Sequence, residues 1–113
     1  MYLKIAAAAA ATLFMTAGAF ADPIEGTWKR PNGTLIQYAG SGGNFCGTVM
    51  TGEYKGKSIG CMAGKDGKYK GKVNKLDEGK TYNGKASISG NTLSLAGCVA
   101  GGLICKSEKL TRQ

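Results

Sequence analysis

Along most of this chain apolar and polar residues alternate in short bursts, with no long apolar pattern of helical period beyond residue 21. The alternation is clearest at 81–89, where Tyr82, Gly84, Ala86 and Ile88 share one face and Thr81, Asn83, Lys85 and Ser87 the other. Leu93 and Leu95 continue the first set after a Gly90-Asn91 turn. A period of two belongs to a strand with one buried and one wet face. Glycine-rich turn signals recur at short intervals: Pro31-Asn32-Gly33, Gly40-Ser41-Gly42-Gly43, Gly64-Lys65-Asp66-Gly67, Asp77-Glu78-Gly79 and Gly90-Asn91. Between them the pattern predicts eight strands, at about 26–30, 34–38, 45–51, 54–61, 68–74, 81–89, 92–99 and 103–112. Eight short antiparallel strands joined by tight turns leave two exposed edges if the sheet stays open and none if it closes. The expectation is therefore an all-β fold, a small eight-stranded up-and-down antiparallel barrel. An interior of that width is either filled by side chains or holds one small ligand.

The first residues follow another rule. A charged start, Met-Tyr-Leu-Lys, precedes an apolar run from Ile5 to Phe14 broken only by Thr12, and Ala19-Phe20-Ala21 stands before Asp22-Pro23. This is the layout of a cleavable signal peptide over residues 1–21, and its apolar core is too short for a spanning helix. The expected product is a single domain over residues 22–113, exported, with the periplasm favoured over full secretion and no transmembrane segment.

Composition sharpens this picture in two ways. All four cysteines, Cys46, Cys61, Cys98 and Cys105, lie beyond the leader, an even number in a small exported domain, which reads as two disulfides. Of the three pairings, Cys46–Cys61 and Cys98–Cys105 are favoured because each brackets a segment short enough for a hairpin. Zinc is disfavoured, since the spacings are wide and histidine is absent. Once Lys4 leaves with the leader, fourteen Lys and Arg face seven Asp and Glu, a net charge of +7 against +8 for the whole chain. Scattered lysines usually serve solubility and edge protection, and they also favour anionic partners. An acidic envelope component is thus one expected partner. Nucleic acid is disfavoured by export.

A motif recurs three times, at Tyr54-Lys55-Gly56-Lys57, Tyr69-Lys70-Gly71-Lys72 and Tyr82-Asn83-Gly84-Lys85. In a strand, tyrosine and glycine point one way, so an aromatic covers the gap beside glycine while lysine meets solvent. A sharper reading makes the tyrosines a lining that orients a bound molecule, with lysines at the rim for its anionic end.

Catalytic signals are few. Histidine, the usual acid–base group near neutral pH, is missing, and no Cys-x-x-Cys or Ser-x-x-Lys motif stands out. Asp77-Glu78, the one adjacent carboxylate pair, falls in a predicted turn, where backbone preference accounts for it. The reading is of a non-enzyme without cofactor or metal.

Asp22-Pro23-Ile24-Glu25-Gly26-Thr27-Trp28, Phe45-Cys46-Gly47, and the run from Gly79 to Lys85 continuing through Leu95–Ser107 to Leu110-Thr111-Arg112 together resemble the bacterial family of unknown function DUF2147. The resemblance spans nearly all of residues 22–113 and is most specific in the last third. It implies an exported, lipocalin-like (calycin) barrel with no established biochemical role. It further implies that Gly26-x-Trp28 closes one end of the barrel with Arg112 lying over the indole, so that any binding site opens at the other end. Two departures, a compact middle between Thr51 and Asp77 and Lys109-Leu110 in place of an aromatic, imply a small cavity. The function expected is binding of a small apolar or amphipathic ligand, with Tyr54, Tyr69, Tyr82, Ile88, Leu93 and Leu95 as lining. The alternative is an envelope interaction or inhibitor protein whose filled barrel presents a lysine-rich surface between Lys55 and Lys80.

Overall fold

The structure is a computed structural model that describes residues 22–113; the signal-peptide reading of residues 1–21 lies outside the described residues. Eight strands follow in order: β1 Gly26–Lys29, β2 Leu35–Ser41, β3 Asn44–Val49, β4 Ser58–Lys65, β5 Lys68–Lys75, β6 Lys80–Ser89, β7 Thr92–Val99 and β8 Ile104–Arg112. Each pairs antiparallel with its chain neighbours, and β8 returns to β1 through Trp28↔Arg112 and Lys29↔Thr111, so the sheet is a closed barrel. Closure pairs both edges that an open meander would expose.

The two ends differ in their connections. At one end, β2–β3, β4–β5 and β6–β7 are joined by two-residue turns at 42–43, 66–67 and 90–91. Asp66 and Gly67 both have positive φ, 55° and 83°, the twist a two-residue hairpin needs, and aspartate tolerates that region better than most side chains. At the other end the connections are longer, at 30–34, 50–57, 76–79 and 100–103.

One strand sits differently from its expected place. The stretch 54–57 is turn rather than strand, and β4 starts at Ser58 and runs on through Gly64 and Lys65. The Gly56 N–H donates to the Val49 carbonyl at 2.7 Å and the Val49 N–H to the Lys57 carbonyl at 2.9 Å, so the loop folds back on β3. Where β3 meets β4 the register shifts, with Gly47 opposite Gly60 but Thr48 opposite Ser58. Ile59 is the extra residue, and this bulge turns it inward beside buried Gly60.

Inward positions form one core: Ile24, Trp28, Ile36, Tyr38, Phe45, Val49, Ile59, Met62, Tyr69, Ala86, Leu93, Leu95 and Leu110. Cross-strand disulfides join register partners on adjacent strands, Cys46–Cys61 on β3 and β4 and Cys98–Cys105 on β7 and β8. In the chain-entropy picture the first, closing 15 residues of sequence, contributes about 3 kcal/mol.

Candidate functional site

The short-turn end of the barrel is sealed. Trp28 is fully buried and its indole N–H donates to the Ile24 carbonyl at 2.9 Å, which ties the entering segment across the interior. The Arg112 guanidinium lies 4.2 Å from the indole centroid and donates to the carbonyls of Glu25 at 3.1 Å and Pro23 at 2.6 Å. Gly26 leaves room for it: a Cβ there would stand 3.1 Å from Arg112 Nη1, at a φ of +125°. On the opposite wall the Tyr69 hydroxyl donates to Asp22 Oδ1 and accepts from the Gly67 N–H, while its ring meets Phe45 edge-on at 5.8 Å. Burial foremost, and then the hydrogen bond to Asp22, push the Tyr69 phenol up to about 12.

The long-loop end is open. There the barrel holds a cavity of about 760 Å³, within the range of small-molecule sites. Its depth is apolar, formed by Ile36, Val49, Ile59, Val73, Leu95 and Leu110. The shortened middle of the chain does not fill it, because residues 50–57 and 76–79 form loops above the interior, and Gly97 adds no side chain of its own where β7 lines the wall beside Tyr82. The implied small cavity is therefore not what the structure contains.

Charge lies at the mouth and along the upper wall, where Glu108 is the register partner of Leu95. Arg30, the first residue after β1, makes a two-pronged pair with Glu108, at 2.5 Å from Nε and 3.2 Å from Nη2. The Glu108 hydrogen bond raises the Arg30 pKa further. Across the opening, Lys75 bridges Asp77 at 3.1 Å and Glu78 at 3.5 Å, and the Tyr82 hydroxyl donates to Glu78 at 2.8 Å. The Lys75 hydrogen bond lowers the Asp77 carboxyl, and the Tyr82 hydrogen bond followed by the charge of Lys75 lowers Glu78. Lys106 completes the rim and has no carboxylate partner among the described residues.

Three of the six residues expected as lining, Tyr54, Tyr82 and Leu95, come together around this cavity. Tyr69, Ile88 and Leu93 do not; they lie in the sealed half, Tyr69 anchored to Asp22 and Ile88 beside the 66–67 turn. Strand alternation distinguishes inside from outside, but not height along the barrel axis. The wall residues Arg30, Lys106 and Glu108 escaped the sequence reading, although each lies an even number of residues from Trp28 or Leu110. Tyr38 is fully buried just below, with its ring over Gly47 and its hydroxyl without a hydrogen-bond partner, and burial raises its pKa. Among the described residues no group of three or more His, Cys, Asp or Glu side chains is placed to hold a metal, and no helix is long and apolar enough to cross a membrane.

Residues 57–112 match the family model DUF2147, described as an uncharacterized protein conserved in bacteria. The matched span runs from just before β4 to the end of β8, so the similar stretches at Asp22–Trp28 and at Phe45-Cys46-Gly47 fall outside it. No curated protein and no solved structure matches the chain.

Proposed function

Starting from a family assignment supported by the match over residues 57–112, we propose that this chain is an exported, lipocalin-like binding protein, without catalysis, that holds a small amphipathic ligand. The observation that carries the proposal is the one-ended cavity of about 760 Å³, apolar toward its floor, with its charged groups at the rim and on the upper wall. Burying an alkyl or ring system against Ile36, Val49, Ile59, Val73, Leu95 and Leu110 is favourable at roughly 25 cal/mol per Å² of apolar surface. A polar head then stays at the mouth, among the Arg30–Glu108 pair, the Lys75 cluster and Lys106. Two disulfides fit an oxidising compartment such as the periplasm.

The test is native mass spectrometry of protein recovered from its own cell envelope, followed by titration with an environment-sensitive fatty-acid probe. A discrete adduct released on denaturation, with probe binding abolished by Leu95→Trp, is the expected result. An unadducted mass together with no probe binding by the wild type overturns the proposal.

A specific observation favours a second reading. Lys68, Lys70 and Lys85 stand exposed around a shallow outer groove that includes Ala63 and Ala96. Salt-sensitive capture of an acidic envelope polymer by this wall, lost in a Lys70→Glu/Lys85→Glu variant, distinguishes it from salt-tolerant ligand binding inside.

A further inference from the structure

Among the described residues, four large apolar side chains stand open to water, and all four are at the mouth end: Met50 at 37%, Val99 at 42%, Ile104 at 65% and Leu103 at 87% exposed. Three of them belong to the single hairpin tip between β7 and β8. Their exposure is built into the backbone. Val99 and Ile104 are register partners, the Cys98–Cys105 disulfide joins the adjacent pair, and a tight turn over Ala100–Gly102 brings the Leu103 N–H to the Ala100 carbonyl at 3.3 Å. The tip is thus a short stapled wedge at the lip of the cavity, where Val99 and Ile104 edge the mouth and Leu103, at the turn, stands furthest into water. Exposed apolar surface of this kind, rimmed by polar residues, marks an interaction site.

Charge around the wedge identifies its partner. From Gly79 to Ser107 the chain contains no Asp or Glu. The cations nearest the tip are Lys106, two residues beyond Ile104 on β8, and Lys80, which the β6–β7 register carries up beside the turn. Both are exposed and neither has a carboxylate partner among the described residues. The carboxylates further back, Glu78 and Glu108, are already engaged by Lys75 and Tyr82 and by Arg30, so the uncompensated charge nearest the apolar tip is that of lysine, which matches the interface of an anionic bilayer, where the chains dip below the headgroups and the ammonium groups meet phosphate. A stable protein–protein interface takes about 20–30 residues a side, and the exposed large apolar side chains here are four, so a second copy of the chain is a poorer fit.

We propose that the β7–β8 tip is a membrane-surface anchor. Leu103 and Ile104 insert shallowly into an anionic leaflet, and Lys80 and Lys106 hold them there. Because the tip borders the cavity mouth, anchoring sets that mouth against the lipid face. The docking itself does not require a loaded cavity, so it stands or falls separately from the binding role.

Residues 22–113 contain every strand of the closed barrel and both disulfides, and this is the form to test. It is floated with vesicles of phosphatidylcholine alone and of phosphatidylcholine mixed with phosphatidylglycerol. The expected result is weak, reversible binding to the anionic vesicles that falls with salt. Leu103→Asp/Ile104→Asp reduces it at least about tenfold, as loss of both inserted side chains requires. Lys106→Glu weakens it too, and thermal unfolding of both variants stays at the wild-type midpoint. Lys70→Glu/Lys85→Glu, on the outer wall, leaves binding intact. No binding to anionic vesicles at low salt overturns the proposal. So does undiminished binding by Leu103→Asp/Ile104→Asp, or loss of binding only in the outer-wall variant. A dimer in sedimentation that Leu103→Asp/Ile104→Asp dissolves, without vesicle binding, assigns the tip to self-association instead.

Discussion

Replacing Arg112 by alanine tests the sealed end most directly. Its guanidinium has two tasks: it stacks on the indole of fully buried Trp28 at 4.2 Å, and it donates to two carbonyls of the entering segment, Glu25 at 3.1 Å and Pro23 at 2.6 Å. Stacking of this kind contributes about 0.5–2 kcal/mol and each hydrogen bond from a charged donor about 1.5–3. Arg112 is half-buried and the carbonyls regain water when it leaves, so the two hydrogen bonds together count for about one, and with the stacking the loss is about 2–4 kcal/mol. For a domain of this size that lowers the thermal midpoint by roughly 10–25 °C. Lysine keeps the charge but has no planar fork to stack and reach both carbonyls, so Arg112→Lys falls between alanine and wild type. The assay is urea unfolding of the oxidised protein followed by the fluorescence of Trp28, the only tryptophan. A loss below about 0.5 kcal/mol, the level of an ordinary surface substitution, or a lysine variant equal to wild type, refutes the argument that the stacked fork holds the floor together.

Three other outcomes follow from particular side chains. Lys70 and Lys85 are direct register partners on β5 and β6, and like charges so placed repel. Lys85→Glu therefore raises the thermal midpoint by a few degrees at low salt, and the gain shrinks as salt is added. Tyr38→Phe removes a buried hydroxyl that has no partner and raises stability by about 1 kcal/mol in urea unfolding; a clear loss instead reveals a partner for that hydroxyl. Burial first and the Asp22 hydrogen bond second raise the Tyr69 phenol from 10.0 to about 12, and burial raises Tyr38 as well. Folded-state values above the unfolded one mean a contribution fully present below pH 10 and lost as the pH climbs toward about 12. Midpoints measured across that window fall with pH, and the fall is shallower in Tyr69→Phe.

Much of this architecture was legible because a period-two pattern and glycine turns are local signals. Tyr82, Gly84, Ala86 and Ile88 alternate as written, and Leu93 and Leu95 follow on the same side of the barrel. The repeated Tyr-x-Gly-Lys misled at its first copy. Tyr54 is followed by Gly56 at a φ of +90°, inside a loop flanked by Gly52 at +88°, and backbone of that kind turns rather than extends. Nor does Tyr82 cover the glycine of its own motif. It packs over Gly97 on the neighbouring strand, with its Cβ 3.5 Å from where a Gly97 Cβ would stand, while Gly84 lies under Val73 and Met62. Which glycine an aromatic covers is settled by register between strands, which a single strand's pattern does not carry. The candidate site was less legible for the same reason. Ile88 and Leu95 are both inward, but only the register that sets Ile88 opposite Leu93 and Leu95 opposite Glu108 puts one in the floor and the other in the cavity wall.

The sealed end also brings the two extremities of the barrel together. Arg112 reaches Pro23, and the Gln113 N–H donates to the Thr27 carbonyl at 2.9 Å. A short flexible linker therefore joins residue 113 to residue 22 across the floor, and the chain can be reopened in the 50–57 loop at the mouth. Such a circular permutant keeps every strand pairing and both disulfides while moving the new ends to the opposite pole. It offers a place to attach a reporter beside the cavity without disturbing the pole that holds the barrel shut.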